Sequence, residues 1–150
     1  AIKELDIQSV FINGNADAGS KKINNLIKKS KIKQYDSLAF DKFINLLSLS
    51  TALVGNSSSG IMEAPFLKTP SINIGTRQTG RLHAASVIDV GYNKREIKNA
   101  LKKTLYDKTF QKNLRKTTSL YGNGTASKKL VRILENLNLE KIPIQKRQFE

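Results

Sequence analysis

Short runs of β-branched and aliphatic residues alternate along the chain with stretches whose apolar positions recur every three or four residues. The runs at 7–13 (IQSVFIN), 51–54 (TALV), Ser71–Ile74 and Val87–Val90 read as strands. Helical spacing links Ile23, Leu26 and Ile27, then Phe40, Phe43, Ile44, Leu46 and Leu47, then Ile61, Ala64 and Leu67. A short segment at 34–38 leads into the second group. After Val90 the pattern is helical alone, at 96–105, around 110–120 and at 126–137, with Tyr121-Gly-Asn-Gly124 as a turn and restart. Strands alternating with helices predict an α/β fold with a parallel sheet, crossover helices and ligand loops at the carboxyl edge. Residues 141–150 read as a docked arm or a frayed tail.

The stretch 53–63, LVGNSSSGIME, joins a strand to a helical segment and is the strongest candidate site. Gly55 and Gly60 permit backbone angles or close approaches that a side chain would block. Ser57, Ser58 and Ser59 place their hydroxyls beside the N–H groups that open a helix, and those donors together with the helix dipole suit a phosphate. The same serines also fit a plain N-cap with no ligand. Glu63 follows Ser59 by four residues and Gly60 by three, so it does not complete a capping box. Its carboxylate, an acceptor only, can receive both hydroxyls of a ribose one turn above a phosphate, and it can equally balance the helix dipole. Pro65 lacks an N–H and crowds the carbonyl of Ile61, which predicts a late helix start or a kink.

Two more loops stand at predicted strand ends. The polar loop 15–21 (NADAGSK) follows the first strand and opens a helix; Asp17 and Ser20 fit helix caps there. The loop 75–81 (GTRQTGR) carries two arginines, whose planar forks match phosphate oxygens and could close over what the serines hold. A solvated basic loop is the other reading. His83 is the single histidine and fits a structural role. No paired carboxylates with a common location, metal-ligand cluster or nucleophile with a base is evident, so the chain reads as a binding half-site without its chemistry.

Composition narrows the partners. A chain of 150 residues, 39% hydrophobic, suits one domain with a real core. It has no cysteine, hence no disulfide framework or thiolate metal site, which fits a reducing, cytoplasmic setting. No apolar run approaches a membrane span, and no signal-peptide pattern opens the chain. The chain begins with Ala1 and runs almost at once into a strand pattern, which reads as a piece of a longer protein. The net charge of +14 would suit nucleic acid, but lysines outnumber arginines 20 to 6 and spread over every predicted helix. Aromatic residues, 7% of the chain, do not interleave with the basic runs as stacking platforms would, so a solvated lysine face is the better reading.

Taken together and in order, Asn15-Ala-Asp-Ala-Gly-Ser-Lys21, Gly55-Asn-Ser-Ser-Ser-Gly60 with Glu63, Ile74-Gly-Thr-Arg-Gln-Thr-Gly-Arg81 and Tyr121-Gly-Asn-Gly124 resemble a known family. They are similar to the C-terminal domain of the hydrolysing UDP-N-acetylglucosamine 2-epimerases, in the branch serving sialic acid and related nonulosonic acid synthesis. The resemblance covers nearly the whole chain. It implies the C-terminal half of a GT-B fold two-domain enzyme, with a Rossmann-like, UDP-binding domain at 1–140, an arm at 141–150 and the N-terminal domain absent. By matching motif positions, Ser57 and Ser58 would hold the diphosphate, Glu63 the ribose hydroxyls, and Arg77 the phosphates or nearby sugar. Asn15 and Lys21 correspond to ligand-contacting positions, and Leu38 would meet the uracil through its backbone. Asn56, Ser59, Gly60, Arg81, Tyr121 and Gly122 would support them, with Asn123 standing where an aspartate is common.

The reaction so implied is elimination of UDP across C1 and C2 of a UDP-amino sugar, then addition of water, giving N-acetylmannosamine or a close relative. It needs no metal and no cofactor. The proton-transfer groups would belong to the missing domain, so the chain alone is expected to be inactive, and the full-length protein to form a homo-oligomer. Both an N-acetylglucosamine donor and a diacetamido-trideoxy donor fit. Two other readings remain: a GT-B glycosyltransferase using the same half-site, and a non-catalytic basic module that binds nucleic acid.

Overall fold

The computed structural model describes residues 1–14, 19–138, 141, 142 and 145. In chain order it holds β1 (Val10–Ile12), α1 (Ser20–Lys29), β2 (Lys33–Tyr35), α2 (Phe40–Leu49), β3 (Leu53–Gly55), α3 (Glu63–Phe66), β4 (Ser71–Ile74), β5 (Val87–Val90), α4 (Lys94–Tyr106), α5 (Lys108–Leu114) and α6 (Ala126–Glu135). Short 3-10 turns lie at Lys3–Leu5 and Ser58–Gly60. The strand pairs are parallel, so helices and loops carry the chain back between them. The expected α/β architecture of parallel strands flanked by helices is therefore present. Its ladder runs in two pieces, β1 with β2, and β3–β4–β5.

Alternation along β4 organises the larger sheet. Ile72 is fully buried and forms the core with Ala100 and Leu101 of α4, joined by Val54, Ile74, Ile88, Val90 and Ile97. Successive strand residues point to opposite faces, so Ser71 and Asn73 turn away from α4. Both are buried nonetheless, Ser71 beneath Gly60 and Asn73 bonded to its register partner Asp89. A middle strand covered on both faces is what parallel pairing demands.

The first residues complete the apolar layer. Ala1, Ile2, Leu5 and Ile7 pack onto the α4 side of the sheet. Glu4 fastens this segment by accepting from Lys94 Nζ at 2.7 Å and Lys98 Nζ at 2.8 Å. These bonds, the Lys94 one foremost, hold the Glu4 carboxyl down at about 2 from its ordinary 4.5 and raise Lys94 in turn. Asn93 caps α4 by accepting from Arg95 N–H at 2.7 Å, and Asp107 both ends α4 and caps α5 through Phe110 N–H.

Several boundaries differ from the pattern. The strand expected over 7–13 narrows to Val10–Ile12, because Ile7 goes into the α4 layer. The segment at 34–38 overlaps an unrecognised strand, β2, whose Lys-Gln-Tyr sequence has no apolar alternation to reveal it. The helix expected around 110–120 ends at Leu114. Residues 1–120 and 121–150 form two separate compact units. In the second, Gly122 and Gly124 take positive φ (103° and 83°), and Asn123 Oδ1 accepts from Thr125 Oγ1 at 2.6 Å just before α6. Most of the expected arm at 141–150 lies outside the described residues. Among the described residues no helix is long and apolar enough to cross a membrane.

The Glu4 fork makes acid stability testable. A carboxyl depressed on folding stabilises the fold above about pH 4.5 and loses that contribution as pH falls toward 2. Thermal melts in low salt should therefore show Glu4→Gln melting below wild type at pH 7, with the two curves converging between pH 4.5 and 2.

Candidate functional site

The candidate site grows from the carboxyl ends of β3 and β4. β3 finishes at Gly55, whose φ of 153° lies at the glycine-favouring edge of backbone space. The chain then tightens into the 3-10 turn. Gly60 N–H reaches Ser57 O at 3.1 Å, Ile61 N–H reaches Ser58 O at 2.9 Å, and Met62 N–H reaches Ser58 O at 3.0 Å. Ser57 Oγ accepts from Ser59 N–H at 3.3 Å, so the capping role open to these serines is realised. Gly60 is required by closeness: a Cβ built there would stand 2.3 Å from Ser71 Oγ.

This geometry corrects the electrostatic expectation. The element after the serines is a three-residue turn followed by the four-residue α3, with only a few aligned peptide dipoles. The N–H groups of Ser59, Gly60, Ile61 and Met62 are also engaged within the turn. The side-chain donors beside the turn are the hydroxyls of Ser57 and Ser58 and the guanidinium of Arg77. The late helix start expected from Pro65 is found, with Pro65 buried at the third position of α3.

Glu63 opens α3 half-buried, and its Oε2 is enclosed with no hydrogen-bond partner among the described residues. Leaving a buried acceptor unpaired costs about 1–3 kcal/mol, more for a charged group. No cap occupies this side chain, consistent with the spacing argument.

The arginine loop meets the serine turn. Arg77 Nη1 donates to Asn56 O at 3.2 Å and Gln78 Nε2 donates to the same oxygen at 2.8 Å. The loop is held at both ends. Gly75 N–H extends the ladder to Val90 O at 2.8 Å, and the positive φ of Gly75 (78°) lets its backbone lie against the Tyr92 ring. At the far end His83 Nε2 lies 2.9 Å from Asp89 Oδ2, while Asp89 Oδ1 accepts from Asn73 Nδ2 at 2.7 Å. The histidine expected to be structural thus ties the loop to β5 and, through Asp89, to β4.

Of the expected site residues, the structure gathers Asn56, Ser57, Ser58, Ser59, Gly60, Glu63 and Arg77 along one stretch of sheet edge. Arg81 is exposed, its backbone N–H bonded to Gln78 O at 3.2 Å. Lys21 is exposed on the first turn of α1, and Leu38 is half-buried between β2 and α2; no hydrogen bond among the described residues joins either to the serine turn. Asn15 lies outside the described residues, and Tyr121 and Gly122 belong to the second unit. Sequence reasoning missed Gln78, Asn73 and Asp89. The polar residues interrupting SINI and VIDV were the available signal for the last two, since each sits opposite the other in register.

Comparison with known proteins places the chain as a whole. A family model described as UDP-N-acetylglucosamine 2-epimerase matches residues 1–135. The chain is 39% identical over 152 aligned residues to the GDP/UDP-N,N'-diacetylbacillosamine 2-epimerase (hydrolyzing) of Campylobacter jejuni, covering 94% of this chain and 39% of that protein. It is 38% identical over 102 residues to a UDP-N-acetylglucosamine 2-epimerase of Neisseria meningitidis, covering 65% of this chain and 27% of the relative. Among solved structures, the Methanocaldococcus jannaschii UDP-GlcNAc 2-epimerase in complex with UDP-GlcNAc and UDP matches 89% of this chain and 37% of its own, at 24% identity and a TM-score of 0.68. The last likeness concerns the fold, which is that of part of a GT-B type enzyme.

The seat of the serine turn can be tested by packing. Gly60→Ala should destabilise the chain by about 1–3 kcal/mol through overpacking against Ser71. Adding Ser71→Ala removes the blocking oxygen and should restore most of the loss in denaturant melts.

Proposed function

The chain belongs to the UDP-N-acetylglucosamine 2-epimerase family, and from that premise we propose that it is the UDP-binding, C-terminal half of a hydrolysing 2-epimerase. One observation carries the reading: Arg77 reaches the head of the serine turn at the carbonyl of Asn56, 21 residues earlier in sequence. That junction puts a guanidinium beside neutral hydroxyls at a sheet edge, the place and chemistry for a diphosphate. Glu63 stands one short helix start further on, half-buried and opening α3, and in this reading its acceptor-only carboxylate takes the ribose hydroxyls.

In this reading Ser57 and Ser58 hold the diphosphate oxygens by hydrogen bonds, and Arg77 faces the charge that grows as UDP departs. Fixed donors aimed at a leaving diphosphate lower the barrier to elimination electrostatically, without taking a proton. Leu38, beside the β1–β2 pair, meets the uracil through its backbone, and Asn15 and Lys21 supply further ligand contacts. The substrate is a UDP-amino sugar, an N-acetylglucosamine or diacetamido-trideoxy donor, and the products are UDP and N-acetylmannosamine or its close relative. The chain spans about two fifths of the length of the Campylobacter relative. The proton-transfer groups are assigned to the remainder of the full-length protein, which acts as a homo-oligomer in the cytoplasm.

Calorimetric titration tests the proposal. UDP should bind the chain more tightly than ADP at moderate salt, and Glu63→Gln should weaken UDP binding roughly tenfold or more, the scale of a hydrogen bond to a charged group. Equal binding of both nucleotides, abolished by salt alone, would reduce the site to non-specific charge. The chain incubated with UDP-N-acetylglucosamine should release no UDP; release would overturn the half-site assignment.

A further inference from the structure

Within the loop 75–81, Gln78 alone is drawn into the protein: it is 4% exposed, whereas Arg77 and Thr79 on either side are exposed. Its Nε2 donates at 2.8 Å to the Asn56 carbonyl oxygen that Arg77 Nη1 meets at 3.2 Å. Its Oε1 is buried with no hydrogen-bond partner among the described residues. A buried amide satisfied on one side only is worse for stability than an apolar side chain of the same length. Packing therefore does not account for a glutamine at this position, whereas the bond to Asn56 does. Turning the amide over would set oxygen against oxygen, so the orientation follows from the bond.

We infer that Gln78 is a positioning residue that keeps the Asn56 carbonyl paired when Arg77 leaves it for a diphosphate. The inference rests on the UDP site proposed above and deepens it. A carbonyl oxygen has two lone pairs, and here both donors come from neighbouring residues of one loop. Arg77 is exposed and makes the longer bond; transferring its guanidinium to an anion exchanges a neutral acceptor for a charged, stronger one. With Gln78 in place that transfer leaves the carbonyl bonded. Without it, the same transfer strips the carbonyl of both donors and opposes binding. The planar trans peptide also sends the Ser57 N–H opposite to the Asn56 carbonyl, so holding the carbonyl fixes the direction of the Ser57 amide. Arg77 touches the anion in this scheme, and Gln78 acts through Asn56.

The test is a double-mutant cycle read by UDP titration, with ADP as control, on the unsubstituted chain, Gln78→Met, Arg77→Ala and the double variant. Gln78→Met should weaken UDP binding about five- to tenfold when Arg77 is present and less than about twofold in the Arg77→Ala background, the non-additivity expected of coupled neighbours. A merely structural glutamine would lower affinity equally in both backgrounds, and that result, or no loss with Arg77 present, overturns the inference while leaving the UDP site standing. No uridine-selective binding by the unsubstituted chain overturns the site and this inference with it. Gln78→Leu enters the same cycle if circular dichroism shows that Gln78→Met does not fold.

Discussion

Everything in the larger unit leans on the two-sided burial of β4. Ile72 and Ile74 commit one face of the strand to α4 and the N-terminal segment, leaving Ser71 and Asn73 to be buried on the other. An apolar cover on that second face would strand their polar atoms. What meets them there is instead a glycine, tight against Ser71, and, on the neighbouring strand, a carboxylate bonded to Asn73. The polar side of one central strand thus dictates small and hydrogen-bonding neighbours, and these neighbours close the serine turn and anchor the arginine loop.

The candidate site inherits its geometry from that arrangement. Gly60 sits on Ser71 and sets the height of the serine turn above the sheet, while Asp89 and His83 fix where the arginine loop returns. Between these supports the two loops are joined by hydrogen bonds to the peptide carbonyl of Asn56. Charge at the site is sparse on a strongly basic chain: the hydroxyls are neutral, and lysines such as Lys94 and Lys98 are occupied in holding Glu4 on α4, the opposite side of the sheet. Basicity in this protein is therefore spread over helices, and the directed donors at the proposed site are those of Arg77, Ser57 and Ser58.

Much of this was legible in the order of residues. β4 and β5 were readable to their ends because SINI and VIDV carry β-branched residues between clear breakers. The motif loops at 55–60 and 75–81 were recognisable by their glycines, and the structure brings them together as expected. β2 was not legible, since Lys33, Gln34 and Tyr35 belong to a half-buried strand whose only strong signal is its backbone pairing with β1. The dipole expected behind the serines depended on helix length, which Pro65 and the tight 3-10 turn cut short in a way that spacing alone did not measure. Gln78 looked like any polar loop residue; its burial follows from contacts 22 residues away, and no local pattern encodes that.

The division of the ladder between β1–β2 and β3–β4–β5 has a mechanical meaning. Peptide hydrogen bonds hold strands at a nearly constant spacing, whereas packed side chains allow small sliding displacements between layers. In the proposed site the groups for the nucleoside end stand beside the first pair of strands and those for the diphosphate stand on the other three. Among the described residues no strand pairing ties those two places together. A nucleotide in the proposed site would itself be the link that strand pairing does not supply.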